Sequence, residues 1–291
     1  MRDGKDIHDI CVVGIGSMGR QIALNAALSG FRVKCTDGSK EALAMTEQFS
    51  SRYLQERISK GKLTPEEAKE TEDSLLFTPD LSEAAAEADL VIEAIVENLE
   101  AKRAIFHELD EICPPHAILV TNSSTIVSSK IADATRRPSQ VCNMHFFNPV
   151  LVMKLVEVVK GPHTAKETVD IVRRVAERMG KNPVILEREI FGFLVNRIVA
   201  AIRKEALYLL DMGVASPEDI DKAVMQGLGH PMGPFQLLDF TGIDLSYHVN
   251  MDLFRESGDI TDRPSPAIVE KYVKGEWGRK TKKGFYNYSQ D

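Results

Sequence analysis

The residues Asp9–Gly19, which read DICVVGIGSMG, decide the fold of this chain. An apolar run of strand length, Asp9–Val13, leads directly into three glycines in the spacing G-x-G-x-x-G, and a helical pattern follows. Between a strand and a helix, this spacing permits a tight turn, lets a pyrophosphate approach the backbone and lets the helix pack against the strand. The stretch therefore predicts a dinucleotide-binding βαβ unit. The predicted binding residues are Gly14, Gly16, Ser17, Met18 and Gly19.

An acidic residue stands where the adenosine ribose of a bound dinucleotide is expected. The second predicted strand ends just before Asp37, which lies 18 residues after Gly19. A spacing of about 20 residues is usual for a carboxylate that binds the ribose hydroxyls. The same carboxylate would repel the 2′-phosphate of NADP, so Asp37 favours NAD. The alternative is that Asp37 is only a turn residue before Gly38.

Strands and helices alternate through the first two thirds of the chain, with one interruption. Two successive helices, which begin near Ser39 and Thr64, are inserted into the alternation. After Glu187 the patterns are helical through most of the remaining chain. We therefore predict a Rossmann-like α/β domain over residues 1–187, with a helical-pair insertion, and an all-α domain over residues 188–291.

Polar residues follow the predicted strand 117–121. In open parallel sheets, ligands bind at the carboxyl ends of the strands. Asn122 and Ser124 are therefore placed to meet a bound nicotinamide and a substrate. The alternative is an ordinary Ser/Thr cap on a helix over residues 126–134. These residues alone leave both interpretations open.

A histidine and a glutamate lie in two neighbouring strand-like runs. The runs flank Asn148-Pro149; the first carries His145 near its end, and the second carries Glu157 among valines. A carboxylate is costly to bury unless something pairs with it. Imidazole is a natural partner, because a carboxylate on one ring nitrogen fixes the tautomer and leaves the other nitrogen as a base. The alternative is a core histidine and a glutamate on a solvated strand.

Composition excludes several classes of function. A formal net charge of -7 argues against a nucleic-acid or anionic-membrane surface. No apolar run approaches the ~20 residues of a membrane span, and the polar start does not resemble a signal peptide. The four cysteines lie far apart without a Cys-x-x-Cys pair, so we expect no metal site and a cytoplasmic location.

The assembled motifs resemble the L-3-hydroxyacyl-CoA dehydrogenase family, and within it the bacterial short-chain, 3-hydroxybutyryl-CoA type. The resemblance covers nearly the whole chain, and several long motifs occur in the family's order. These motifs are Gly14–Gly19, Val91–Asn98, Thr121–Ser124, His145–Val158, Gly192–Arg197, Pro231–Pro234 and Gly284–Tyr286.

The resemblance implies a catalytic role for four residues. His145 would take the substrate's hydroxyl proton as hydride leaves C3 for nicotinamide, and Glu157 would hold and polarise His145. Ser124 and Asn196 would hydrogen-bond the C3 oxygen. These roles agree with the chemistry, because alcohol oxidation needs a base near pH 7 and donors aimed at the developing oxyanion.

The resemblance also implies the binding partners. The NAD site would include Asp37, Glu97, Lys102 and Asn122 beside the glycines. The helical pair would form a clamp over the coenzyme A of an acyl-CoA substrate, with Lys60 near its phosphates. The helical domain would form a homodimer.

Three departures from the family's pattern accompany the resemblance. Phe191 stands where the family usually has proline, Glu56 where related enzymes often have lysine, and Trp277 and Lys282 replace commoner residues near the end. Two rival functions stay open: a dehydrogenase of a free hydroxyacid on the same scaffold, and an NAD-binding protein without turnover.

Overall fold

A computed structural model describes residues 7–289 of the chain. They divide into two compact units, one that ends at Leu194 and one that begins at Val195. The sequence places the domain boundary near Glu187, directly after the last strand. The chain stays with the first unit for several residues beyond that point, because Phe193 packs among buried residues of the first unit.

The described residues of the first unit form one eight-stranded sheet. Its strands are β1 (Asp9–Val13), β2 (Arg32–Thr36), β3 (Leu75–Thr78), β4 (Leu90–Glu93), β5 (Ile118–Thr121), β6 (Val141–Phe146), β7 (Leu155–Val159) and β8 (Asn182–Leu186). Their order is β3-β2-β1-β4-β5-β6-β7-β8, and every neighbouring pair is parallel except β6 and β7. The chain order reverses between β1 and β4, which creates the crevice where such sheets bind ligands. The predicted Rossmann-like fold is confirmed.

Helices cover both faces of this sheet. They are α1 (Gly19–Ala27), α2 (Lys40–Ser59), α3 (Pro65–Asp73), α4 (Leu81–Ala85), α5 (Leu99–Ile112) and α6 (Lys166–Arg178). The predicted helical pair corresponds to α2 and α3. Ser39 caps α2 by accepting from Ala42 N, and Thr64 and Glu67 form a reciprocal capping box on α3.

The central strands β1, β4, β5 and β6 are almost completely buried on both sides, as expected for a mostly parallel sheet. Side chains alternate between the two faces along each strand. Ile92 and Val120 join the core cluster that includes α1 and α6, whereas Val91 and Leu119 join the cluster that includes α5. The central strands therefore hold the loops at their carboxyl ends on a rigid base.

The second unit is helical, as predicted. Its α-helices within the described residues are α7 (Val195–Asp211), α8 (Pro217–Leu228), α9 (Pro234–Thr241), α10 (Ile243–Ser257) and α11 (Pro266–Val273). Phe235 and Leu238 of α9 lie in its core. Asp239 accepts hydrogen bonds from Phe285 N and Tyr286 N, which ties the Gly-Phe-Tyr segment to α9. None of the helices in the described part of the chain is long and apolar enough to cross a membrane.

Candidate active site

The glycine loop between β1 and α1 has the shape that a dinucleotide needs. Gly14 has a positive φ of 83°, and a Cβ there would lie 2.8 Å from Ile95 N. A Cβ on Gly19 would lie 1.8 Å from Gly14 O, whereas a Cβ on Gly16 would meet nothing within 4 Å. The outer two glycines therefore serve close packing, and Gly16 leaves open space. This cradle, with the helix N-terminus behind it, fits a pyrophosphate.

Asp37 is tied to this loop. Its Oδ2 accepts from Ile15 N at 3.0 Å, and its Oδ1 accepts from Ser39 N at 2.9 Å. The second contact is the turn interaction that the alternative interpretation requires, and the first fixes the carboxylate beside the glycine loop. Asp37 therefore makes the turn contact and also holds its carboxylate against the glycine loop.

A buried carboxylate that is not among the predicted site residues links β4, α5 and β5. Glu93, at the end of β4, accepts from Ile95 N, Lys102 Nζ and Thr121 Oγ1, each at 2.7 Å. Glu93 and Lys102 are almost completely buried. The sequence does contain a sign of this contact, because Glu93 is a charged residue within the apolar run Leu90–Ile95. A charge in a buried strand is expected to have a buried partner.

Glu97 holds the loop after β5. Its Oε1 accepts from Thr125 N at 3.0 Å and from the hydroxyls of Ser123 and Thr125, and its Oε2 lies 3.5 Å from Lys102 Nζ. Burial acts to raise the pKa of Glu97. The hydrogen bonds from Ser123 and Thr125 and the charge of Lys102 outweigh burial and lower that pKa. Glu97 is therefore an anion that orders this loop.

Asn122 forms a hydrogen bond within the protein, whereas Ser124 forms none with the described residues. Asn122 Oδ1 accepts from Phe146 N at 2.9 Å, which joins the end of β5 to the end of β6. Ser123 Oγ accepts from Ile126 N at 2.8 Å and makes the cap-like contact. The Ser124 hydroxyl is half-buried and makes no hydrogen bond to any described residue.

The helix required by the simple cap interpretation does not form. Two short 3-10 turns, Ser128–Lys130 and Ala132–Ala134, take its place. Asn143 in β6 explains the difference, because its Oδ1 accepts from Ser128 N at 2.8 Å and its Nδ2 donates to Ile126 O at 2.9 Å. A buried side chain thus takes backbone groups that an α-helix would use.

The antiparallel pair β6 and β7 places His145 directly opposite Glu157. His145 Nδ1 lies 2.9 Å from Glu157 Oε2, and both residues are buried. Leu194 N donates to Glu157 Oε1 at 3.0 Å. His145 Nε2 has no hydrogen-bond partner among residues 7–289. The tautomer that donates Nδ1–H to Glu157 leaves Nε2 as a proton acceptor.

Two phenylalanines enclose the imidazole. The Phe147 ring lies edge-on with its centroid 4.7 Å from that of His145, and the Phe193 ring is tilted at 5.4 Å. Phe193 is fully buried and has a positive φ of 51°. Neither contact could be predicted from the sequence, because neither follows from the local spacing of the residues.

Two predicted site residues lie outside these contacts. Lys60 follows the last residue of α2, is exposed and forms an ion pair with Glu56. Asn196 is the second residue of α7, in the second unit, and is exposed. Within the described range, no group of three or more His, Cys, Asp or Glu side chains could hold a metal ion.

The chain is similar to known proteins over nearly its whole length. Residues 9–190 match the family model "3-hydroxyacyl-CoA dehydrogenase, NAD binding domain", and residues 192–288 match "3-hydroxyacyl-CoA dehydrogenase, C-terminal domain". A probable 3-hydroxybutyryl-CoA dehydrogenase of Bacillus subtilis is 43% identical, and the match covers 98% of this chain and 99% of that relative's length. The 3-hydroxybutyryl-CoA dehydrogenase of Bradyrhizobium diazoefficiens is 39% identical, over 97% and 96%. The crystal structure of (S)-3-hydroxybutyryl-CoA dehydrogenase from Ralstonia eutropha matches with a TM-score of 0.92 and 35% identity, over 98% of this chain and 100% of that chain.

Proposed function

The chain belongs to the 3-hydroxyacyl-CoA dehydrogenase family, and we propose that its substrate pair is L-3-hydroxybutyryl-CoA and acetoacetyl-CoA. Membership makes it an NAD-dependent oxidoreductase. The names of two relatives that match almost the whole chain support a short acyl chain. The observation that carries the proposed mechanism is the 2.9 Å contact between His145 Nδ1 and Glu157 Oε2.

His145 is the proposed acid and base. With Nδ1–H donated to Glu157, the Nε2 lone pair accepts the hydroxyl proton of the substrate in oxidation and returns it in reduction. The nearby carboxylate stabilises the imidazolium that forms in between. Bound NAD supplies the hydride acceptor, or in the reverse direction NADH the donor. In this mechanism His145 Nε2 accepts one proton in oxidation and donates it in reduction.

Donors to the C3 oxygen complete the proposed site. The Ser124 hydroxyl is free of described protein partners, so it is available to a ligand. Asn196, the second residue of α7, is the second donor that the family resemblance implies. Hydrogen bonds aimed at an oxygen that gains negative charge lower the barrier more than contacts made equally in the ground state.

Binding contacts follow from the same assignment. Asp37 would accept the ribose hydroxyls of NAD beside the glycine cradle. Lys102 is buried between two carboxylates, so we assign it and Glu97 to ordering the loops around the cofactor. Lys60 would meet coenzyme A phosphates from the end of α2.

We also propose a homodimer formed by the second unit, in the cytoplasm. Large apolar side chains are exposed on this unit, among them Ile198 at 60%, Met212 at 62% and Leu228 at 69%. Exposed apolar area of this kind is typical of a surface that another subunit covers.

The test is an assay with acetoacetyl-CoA and NADH, repeated with longer 3-ketoacyl-CoA thioesters. We expect the highest kcat/KM with the four-carbon thioester and far lower kcat/KM with NADPH. Free acetoacetate is the matched control, because it has the same ketone without coenzyme A. Turnover of acetoacetate with none of the thioester would favour the free-hydroxyacid alternative.

A further inference from the structure

The backbone makes an unusual turn just before the second unit begins. Gly192 and Phe193 both have positive φ, 74° and 51°. Glycine adopts this conformation freely, but a bulky aromatic residue is disfavoured there. Among residues 7–289 the only other non-glycine with positive φ is Lys282, which is exposed. Phe193, in contrast, is fully buried. Surrounding structure must therefore hold this conformation in place.

The turn delivers a backbone donor to the buried carboxylate. Leu194 N donates to Glu157 Oε1 at 3.0 Å, although Leu194 as a residue is 42% exposed. The turn therefore directs the main-chain N–H of Leu194, and not its side chain, toward the protein interior. Because Oε1 is held by the main chain, the carboxylate plane is fixed and Oε2 stays directed at His145 Nδ1, 2.9 Å away.

The Phe193 ring supports both partners at once. It packs in a small buried cluster with Val159 and Leu186, at the carboxyl ends of β7 and β8. Its centroid also lies 5.4 Å from that of the His145 ring. The ring therefore anchors the turn to the sheet and forms one wall of the imidazole's pocket.

We propose that Phe193 is a positioning residue for the His145–Glu157 pair. Its anchored ring holds the left-handed turn, the turn holds Leu194 N–H on Glu157, and Glu157 orients the imidazole. The inference rests on the proposed function of this pair.

Three substitutions separate the ring from the turn. Phe193→Ala removes the ring and keeps the conformational penalty, Phe193→Gly removes both, and Phe193→Leu keeps apolar bulk. We expect Phe193→Ala to lower kcat about 10- to 100-fold, the range for residues that orient a functional group, with KM changed less than about threefold. Phe193→Gly should retain more kcat than Phe193→Ala, because glycine favours the turn. Equal kcat values for the two would overturn the role of the turn.

A core residue at the other end of the sheet provides the matched control. Phe31 is fully buried directly before β2. Phe31→Leu and Phe193→Leu should both lower the melting temperature, but only Phe193→Leu should lower kcat. Normal kcat in Phe193→Leu and Phe193→Ala, with only reduced melting temperatures, would show that Phe193 is an ordinary core residue.

A spectroscopic readout does not depend on turnover. An imidazole Nδ1 proton held by a buried carboxylate gives a downfield NMR resonance that exchanges slowly with water. The resonance of His145 should persist in Phe31→Leu and broaden or vanish in Phe193→Ala. If the wild-type protein does not reduce acetoacetyl-CoA, the proposed function fails, and this resonance still decides the inference. An unchanged resonance in Phe193→Ala would overturn it.

Discussion

Glu93 and Glu157 are two fully buried carboxylates in one sheet, and they differ in the partner that each meets. Glu93 accepts from Lys102, from Thr121 and from the backbone of Ile95. The Lys102 ammonium lies 2.7 Å from Glu93 Oε1, so this contact ties α5 to the end of β4. Glu157 instead faces the His145 ring, whose second nitrogen is free of described partners and can accept a proton.

A buried carboxylate thus serves two different purposes in the same sheet. The Glu93 cluster joins β4, α5 and β5, so its hydrogen bonds end within the protein. The His145–Glu157 pair leaves one ring nitrogen without a described partner. Substitutions at the two glutamates should therefore separate stability from catalysis.

The largest effect on stability is expected from Glu93→Ala. It leaves the Lys102 ammonium buried with only the more distant carboxylate of Glu97. Removing one partner of a buried pair costs about 3–5 kcal/mol of unfolding free energy. We expect a loss near the lower end of this range, because Glu97 still partly compensates the charge of Lys102. Chemical denaturation measures the loss. The double variant Glu93→Met with Lys102→Met should recover part of it, and a loss below about 1 kcal/mol would show that the pair has little structural role.

Glu157→Gln should show the opposite pattern. The amide can still meet Leu194 N, so the fold is largely retained, but it no longer stabilises a protonated imidazole. We expect kcat to fall about 10- to 100-fold with a modest change in KM for acetoacetyl-CoA. Steady-state kinetics and thermal melting on the same sample measure both properties. A lowered melting temperature with normal kcat would place Glu157 with Glu93 as a structural carboxylate.

The smallest effect is expected where a charge pair is exposed. The hydrogen bond from Lys60 and its charge lower the pKa of Glu56, but both side chains are 56% exposed. Lys60→Ala should raise KM for acetoacetyl-CoA only about two- to fivefold, and added salt should shrink the effect. Glu56→Lys should lower that KM.

The control for Lys60 is a thioester that lacks the 3′-phosphate of coenzyme A. The Lys60 effect should disappear on that substrate, because this phosphate is the proposed partner of the Lys60 ammonium. An equal effect on both thioesters would mean that Lys60 acts through the fold of α2.

Local chemistry explains what could be predicted from the sequence. The glycine spacing has few structural solutions, so the βαβ unit and its cradle at Gly16 followed directly. Burying an unpaired carboxylate costs free energy, so a partner was expected for Glu157, and His145 was the natural candidate. The antiparallel register of β6 and β7 places the two residues opposite each other.

The remaining features depend on contacts between distant parts of the chain. The side chain of Asn143 replaces a helix after β5 with 3-10 turns. The positive φ of Phe193 and the identity of the partners of Glu93 likewise depend on packing, which no local pattern encodes. Ser123 rather than Ser124 makes the cap-like contact, a distinction that two adjacent serines do not reveal in sequence.

The most direct test of the account is the kcat of His145→Gln, measured with acetoacetyl-CoA and NADH alongside the dissociation constant of NADH. Glutamine keeps a polar side chain of similar reach but cannot act as a base. We predict a loss in kcat of at least ~10²-fold with unchanged NADH binding and an intact fold, the lower range for a positioned acid or base. Near-normal turnover in His145→Gln would contradict the assignment of His145, and with it the catalytic role of the His145–Glu157 pair.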